Sequence, residues 1–368
     1  MTNNARVRLV IKVKGMDGFW RRGLSVLVLA GLSFYSFAAQ AQSLCIYDPM
    51  GAQGDYFSLA RDYQLEAKLW GVKIILRPYL DDNALIDAFK AGKCDMASMI
   101  GMHARAFNQF AGTIDSPGTI ENYVELKDVM NLAASPKLAK YMVSGPYEVV
   151  GVLPIGAGYA VVNDRNINSL AAASGKRAAY MSWDQTQTQM AAQFNITAVP
   201  ADLNTYGRVF NEGSVDIIVA PMALYKPMEL YRGIGEGGGI VHRPLFQFTM
   251  QLVDYRDRFP PDFGQQSREY LRDQMDHALR LIRRDEAGVD PRYWIDASNG
   301  DIAQWHSTMG SLLDHLVEDG LYDSRMLSIL KRVRCKSNPG TDECVGIQAT
   351  VAPPPVAPEP ISRPAEYP

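Results

Sequence analysis

From residue 43 onward, short runs of consecutive apolar residues alternate with stretches whose apolar side chains recur every three or four positions. Ser43–Tyr47 is a short extended run ending at Asp48-Pro49, and Met50–Asp55 carries turn chemistry with Asp55 placed to cap a helix. Tyr56, Leu59, Tyr63, Ala67 and Trp70 fall at helical spacing until Gly71, and the β-branched Val72–Leu76 reads as a strand. Asp82–Ala91 is the next helix, closed by Gly92, and Asp95–Ile100 the next strand. Strand, helix, strand, helix, strand is the rhythm of a parallel sheet with crossover helices.

The phrase is repeated. Asn83…Phe89-x-x-Gly92-x-x-Asp95-Met96 is answered 121 residues later by Asn204…Phe210-x-x-Gly213-x-x-Asp216-Ile217. Each copy predicts a helix that buries its Phe, stops on a glycine free to take positive φ, and enters a strand through an aspartate. With strands at Ile196–Val199 and Val215–Ala220 and a helix at Thr205–Glu212, the pattern predicts two α/β lobes, each a mostly parallel sheet flanked by helices. Tyr147–Val162, two extended runs broken by Pro154 and Gly156-Ala157-Gly158, reads as the crossing between lobes, and Leu245–Tyr255 as the return. The first lobe is then 42–150 with 245–347, and the second 151–244. Beyond Pro260-Pro261 one long helix is expected over Asp262–Arg284, then helices through Trp305 and Leu330. Residues 348–368, rich in proline, cannot build a core and are expected to be disordered.

Composition adds a compartment. The 368 residues, 47% hydrophobic and 21% charged, suit about two globular domains. A net charge of −3 lacks the basic surplus of a nucleic-acid binder. Residues 1–41 alone carry six basic side chains and one acid, which leaves −8 for the remainder. Arg21-Arg22, the apolar Gly23–Ala39 and the small-residue site Ala39-Gln40-Ala41 form a secretory signal peptide cut after Ala41, which sends the mature chain to the periplasm. In that oxidising compartment four cysteines predict disulfides. Cys45 starts the first strand and Cys94 lies at the mouth of the third, neighbours in a sheet ordered 2-1-3, so Cys45–Cys94 and Cys335–Cys344 are the favoured pairs.

Catalytic chemistry is sparse. The five histidines show no metal-ligand spacing, and neither a nucleophile elbow nor a phosphate-binding loop occurs. No enzyme, metal or cofactor is therefore expected. In open α/β sheets ligands bind beyond the carboxyl ends of strands. Three such segments supply candidates: Asp48 and Gln53 in Asp48–Asp55, Arg105 in Gly101–Asn108, and Tyr180 and Trp183 in Tyr180–Gln187. Arg105 has the fork to grip a carboxylate, or equally to form a salt bridge; Tyr180 and Trp183 suit a pocket wall or ordinary packing.

The order of segments from Ser43 to about Glu286 resembles the extracytoplasmic solute-binding proteins of tripartite ATP-independent periplasmic (TRAP) transporters. The likeness is carried by Phe89–Asp95, by Ile167-Asn168-Ser169-Leu170 with Gly175-Lys176-Arg177, by Asn204–Pro221 and by Phe248–Pro261. It implies a two-lobed, type II periplasmic-binding-protein-like fold with hinge strands at 147–162 and 245–255. It further implies a monomer that captures a small molecule, anions included, for inner-membrane transporter subunits; a sensor or efflux partner, or less readily a periplasmic enzyme, is the alternative. Two positions depart from that family. Its carboxylate-clamping arginine aligns with Ala179, two residues past Arg177, and its asparagine before proline aligns with Ala220. The chain is most similar to a divergent branch described only as solute-binding proteins.

Overall fold

The computed structural model describes residues 41–297, 299–340 and 342–344. The expected signal peptide (save Ala41) and the proline-rich tail lie outside them. β1 (Gln42–Tyr47), buried from Ser43 onward, is followed by α1 (Asp55–Leu69), β2 (Ile74–Tyr79), α2 (Asp82–Lys90) and β3 (Met96–Ile100). β1 pairs in parallel with β2 on one side and β3 on the other, giving the order 2-1-3. Cys45 and Cys94 are disulfide-bonded across that neighbourhood with Cα atoms 5.9 Å apart, and Cys335 bonds Cys344.

Short helices α3 (Gly101–Ala104) and α4 (Gln109–Gly112), then α5 (Tyr123–Ala133) and the two-residue β4 (Val143–Ser144), lead to β5 (Tyr147–Val162). The second lobe follows as α6 (Leu170–Ala173), β6 (Arg177–Met181), α7 (Gln185–Gln193), β7 (Thr197–Ala201), α8 (Tyr206–Asn211), β8 (Ile217–Ala220) and α9 (Tyr231–Ile234). β9 (Gly239–Tyr255) returns antiparallel to β5 along nearly its whole length. The sheet runs β2-β1-β3-β9-β5-β8-β6-β7, so the two long strands belong to both lobes and are their shared spine. α10 (Phe263–Asp273), α11 (Met275–Ala287), β10 (Trp294–Ile295), α12 (Asn299–Glu318) and α13 (Ser324–Ser337) complete the chain.

The repeated phrase has one structural meaning in both copies. Phe89 and Phe210 are fully buried, and Gly92 and Gly213 take φ of +70° and +72°, a conformation disfavoured for a residue with a Cβ. The Asp95 carboxylate accepts the backbone N–H of Ser43 at 2.7 Å, and that of Asp216 accepts the N–H of Arg177 at 2.9 Å. In each lobe the aspartate thus satisfies the start of the neighbouring strand.

Three expectations need correction. Tyr147–Val162 is one strand: Pro154 and the glycines are absorbed as bulges, with register shifts at Pro154/Gly156 and Gly158/Tyr159. The helix expected over Asp262–Arg284 is broken at Gln274, which leaves α10 and α11 separately packed on β5. Asp55 does not cap α1; it lies inside the first turn, behind Gly54. Its place is taken by Asp48, whose Oδ2 accepts the Phe57 N–H at 3.0 Å. A Cβ on Gly54 would stand 1.8 Å from the Asp48 carboxylate, so the close approach requires glycine.

Candidate functional site

Because β5 and β9 run through both lobes, the carboxyl ends of β1 and β3 face those of β6 and β8 across the spine. Two adjoining cavities of about 220 and about 340 Å³ occupy that space and share Pro49, Tyr56, Ile155, Leu224 and Met250 as wall. The smaller is bounded by Tyr47, Ile100 and Met102 from the first lobe, by Ala179, Tyr180, Met181 and Tyr206 from the second, and by Phe246 and Phe248 of the spine. Arg243 is its one charged side chain among the described residues, with the guanidinium 4.9 Å from the Trp305 ring centroid. The larger is more polar: Asp48, Asp55, Asp62 and Asp285 line it together with Lys226 and Arg284.

The lobes also touch at a polar rim. Arg105, one residue past α3, places Nη2 2.6 Å from Asp184 Oδ1 and 3.3 Å from Thr186 Oγ1. Asp184 is fully buried at its side chain and also accepts the Thr186 N–H, which caps α7. His103 stacks on Trp183 with ring centroids 3.6 Å apart, while its Nε2 lies 2.9 Å from Asp82 Oδ2. Gln187 reaches the Met102 sulfur, and Asn204 donates to Asp81 at 2.6 Å. Asp81 also accepts the Ala84 N–H as the cap of α2. Asp81→Ala is therefore expected to cost ~1 kcal/mol of stability, the usual value of an N-cap, in urea unfolding. Asp81→Asn, which keeps the oxygen that caps α2 but turns an NH₂ toward Asn204, should cost less.

The structure separates the candidates read from sequence. Tyr180 lines the smaller cavity and Asp48 the larger. Asp48 is 1% exposed, and burial lifts its carboxyl above the ordinary carboxylate range against the pull of the Met50 and Phe57 N–H groups. Arg105 and Trp183 lie at the rim, engaged with Asp184 and His103. Gln53 is exposed and lines neither cavity. Met102, His103, Tyr206 and Asp184 were not singled out; His103 lies two residues before Arg105 in a segment already marked as a strand end. Among the described residues no group of His, Cys, Asp and Glu is arranged to hold a metal, and no helix is long and apolar enough to cross a membrane.

The family model of the solute-binding proteins AdeT 1/2 matches residues 65–348. The chain belongs to this family. Within the AdeT family it is 38% identical over 299 residues to the probable solute-binding protein AdeT1 of Acinetobacter baumannii, covering 81% of this chain and 98% of that protein. Against AdeT2 of the same organism the figure is 23% over 233 residues, 63% of this chain and 98% of that one. Solved TRAP periplasmic solute-binding proteins share its fold. One from Rhodoferax ferrireducens with bound malonate superposes at a TM-score of 0.64 and 14% identity, covering 81% of this chain and all of that one. Another, from Haemophilus influenzae with bound L-gulonate, gives 0.64 and 12%, covering 80% and 99%. In this AdeT-family chain Ala179, where the sequence likeness would put a carboxylate-clamping arginine, is buried and apolar. Arg177 offers no replacement: its side chain lies at the start of β6, bonded through Nε and Nη2 to Asp216. That bond holds the Asp216 carboxyl down at about 2.

Proposed function

We propose that this chain is an exported, periplasmic solute-binding protein that traps a small molecule where its two lobes meet and presents it to inner-membrane transporter subunits. Residues 42–150 and 245–347 would form one lobe and 151–244 the other, with β5 and β9 flexing as the hinge. The observation that carries this reading is a pair of cavities walled by both lobes over the spine they share. A ligand touching both walls binds the closed form preferentially and so shifts the chain toward it. Tyr180 and Asp48 act as walls in this reading; Arg105 and Trp183 fasten the rim, and Gln53 stays outside.

The test is to purify the exported protein, identify co-purified small molecules by mass spectrometry, strip them and add them back. Re-addition at about 100 times the dissociation constant should raise unfolding stability by about 2.7 kcal/mol and lower the radius of gyration. Recovery of a chemically altered molecule would indicate an enzyme. Binding without compaction would remove the hinge.

A further inference from the structure

The two faces of the second lobe's sheet are filled unequally. On one, Ala179, Ile218 and Tyr159 pack against Tyr206 and Phe210 of α8, all buried. On the other, which faces α6 and α7, alternate positions Ala160, Ala178, Tyr180 and Val219 remain half-exposed. The apolar side chains of α7 and its end that should cover them, Met190 and Phe194, are half-exposed as well. α7 touches β6 and β7, but a helix packed flush on the sheet would bury these residues on one another. Met190 and Phe194 turn toward Trp305 of α12 and, with the half-exposed sheet residues, line the smaller cavity, whose lining also includes Tyr47 and Met102 of the first lobe. The α7 sequence, QTQTQMAAQ, buries Thr186 alone and has little apolar surface with which to close the gap.

Resting on the reading of the chain as a solute-binding protein, we propose that this slot receives the apolar chain or ring of an elongated ligand, recognised by its hydrocarbon body rather than by a carboxylate. Small side chains at Ala160 and Ala178 leave the space, Arg105 and Arg177 are bound to Asp184 and Asp216, and Arg243, the charged side chain on the cavity wall, lies against the Trp305 ring. Water has few partners in such a cavity. An apolar cavity of about 150 Å³ stays dry and accepts benzene, so one of about 220 Å³ has room for about eight carbons.

The experiment measures binding of 1-octanol, octanoate and succinate to the stripped exported protein by calorimetry. Octanol and octanoate should bind within about tenfold of each other and succinate at least a hundredfold more weakly. Ala178→Leu should weaken octanol at least tenfold while the melting temperature without ligand holds or rises, because the leucine occupies the slot. Met190→Trp fills it from the helix side and should do the same, so misfolding of one variant leaves the other decisive. Failure of octanol to bind, or unchanged octanol affinity in a folded slot variant, overturns the proposal. If succinate or a co-purified polar molecule binds while octanol does not, the ligand class falls and solute capture stands. If none binds, both fall.

Discussion

Arg105→Ala is expected to destabilise the closed chain by about 3–5 kcal/mol, the cost of leaving a buried charge without its partner. The Asp184 side chain is fully buried, the Arg105 side chain is 11% exposed, and their atoms meet at 2.6 Å. The guanidinium also lies 4.9 Å from the Tyr322 ring centroid, so the truncation removes packing together with charge. Arg105 follows β3 and Asp184 follows β6, so the pair fastens one lobe to the other. The chain can recover part of the loss by opening, which returns Asp184 to water. The expected result is therefore a lower melting temperature accompanied by a larger radius of gyration in solution scattering. Adding Asp184→Asn to the first substitution should restore much of the stability, since the amide keeps the acceptor that caps α7. Raised salt should change the wild-type value little, because a buried pair is poorly screened. A ligand clamp predicts the opposite result, intact melting with lost affinity, and that outcome would remove the inter-lobe role.

What was legible in the sequence were the signals confined to a few adjacent residues. F-x-x-G-x-x-D marks a helix end, a positive-φ glycine and a strand start within seven positions, and both copies fold as that spacing requires. The 2-1-3 order followed from the rhythm of elements, and the Cys45–Cys94 bond from that order. The break at Gln274 carries no proline or glycine to announce it; it arises where α10 and α11 pack separately on β5. Pro154 looks like an interruption, yet a bulge accommodates it opposite Thr249. At the site, the identity of Arg105 was readable and its partner was not, because Asp184 lies 79 residues away and reads locally as a helix cap. The slot is the least legible feature. Ala160, Ala178, Met190 and Phe194 each resemble ordinary core, and a cavity is a mismatch of volumes that no single residue encodes.

Unfolding stability is expected to fall by about 3 kcal/mol between pH 4 and pH 7 on account of Asp115 alone. This carboxyl is 3% exposed, just beyond α4, where Thr249 of the spine donates its hydroxyl to Oδ1 at 2.6 Å and its N–H to Oδ2 at 3.1 Å. Burial pushes it up to about 7 from 3.8, and the Thr249 bonds and the nearby Arg105 guanidinium offset only part of that. A folded-state value above the unfolded one means that the native chain keeps a proton which the unfolded chain has lost over this range. The stabilisation is then complete below about pH 3.8 and gone as the pH rises through about 7. Asp254, also raised by burial, acts in the same direction, so the wild-type slope alone does not isolate Asp115. Asp115→Asn does. Its amide oxygen can accept the Thr249 N–H while its NH₂ donates to the hydroxyl, so the geometry survives and the titration disappears. Urea unfolding of both proteins at half-unit steps from pH 4 to 7.5 should give curves that diverge as the pH rises, with the variant the more stable at neutral pH. Parallel curves would show that Asp115 ionises in the folded chain as readily as in the unfolded one, with Arg105 or water supplying the compensation.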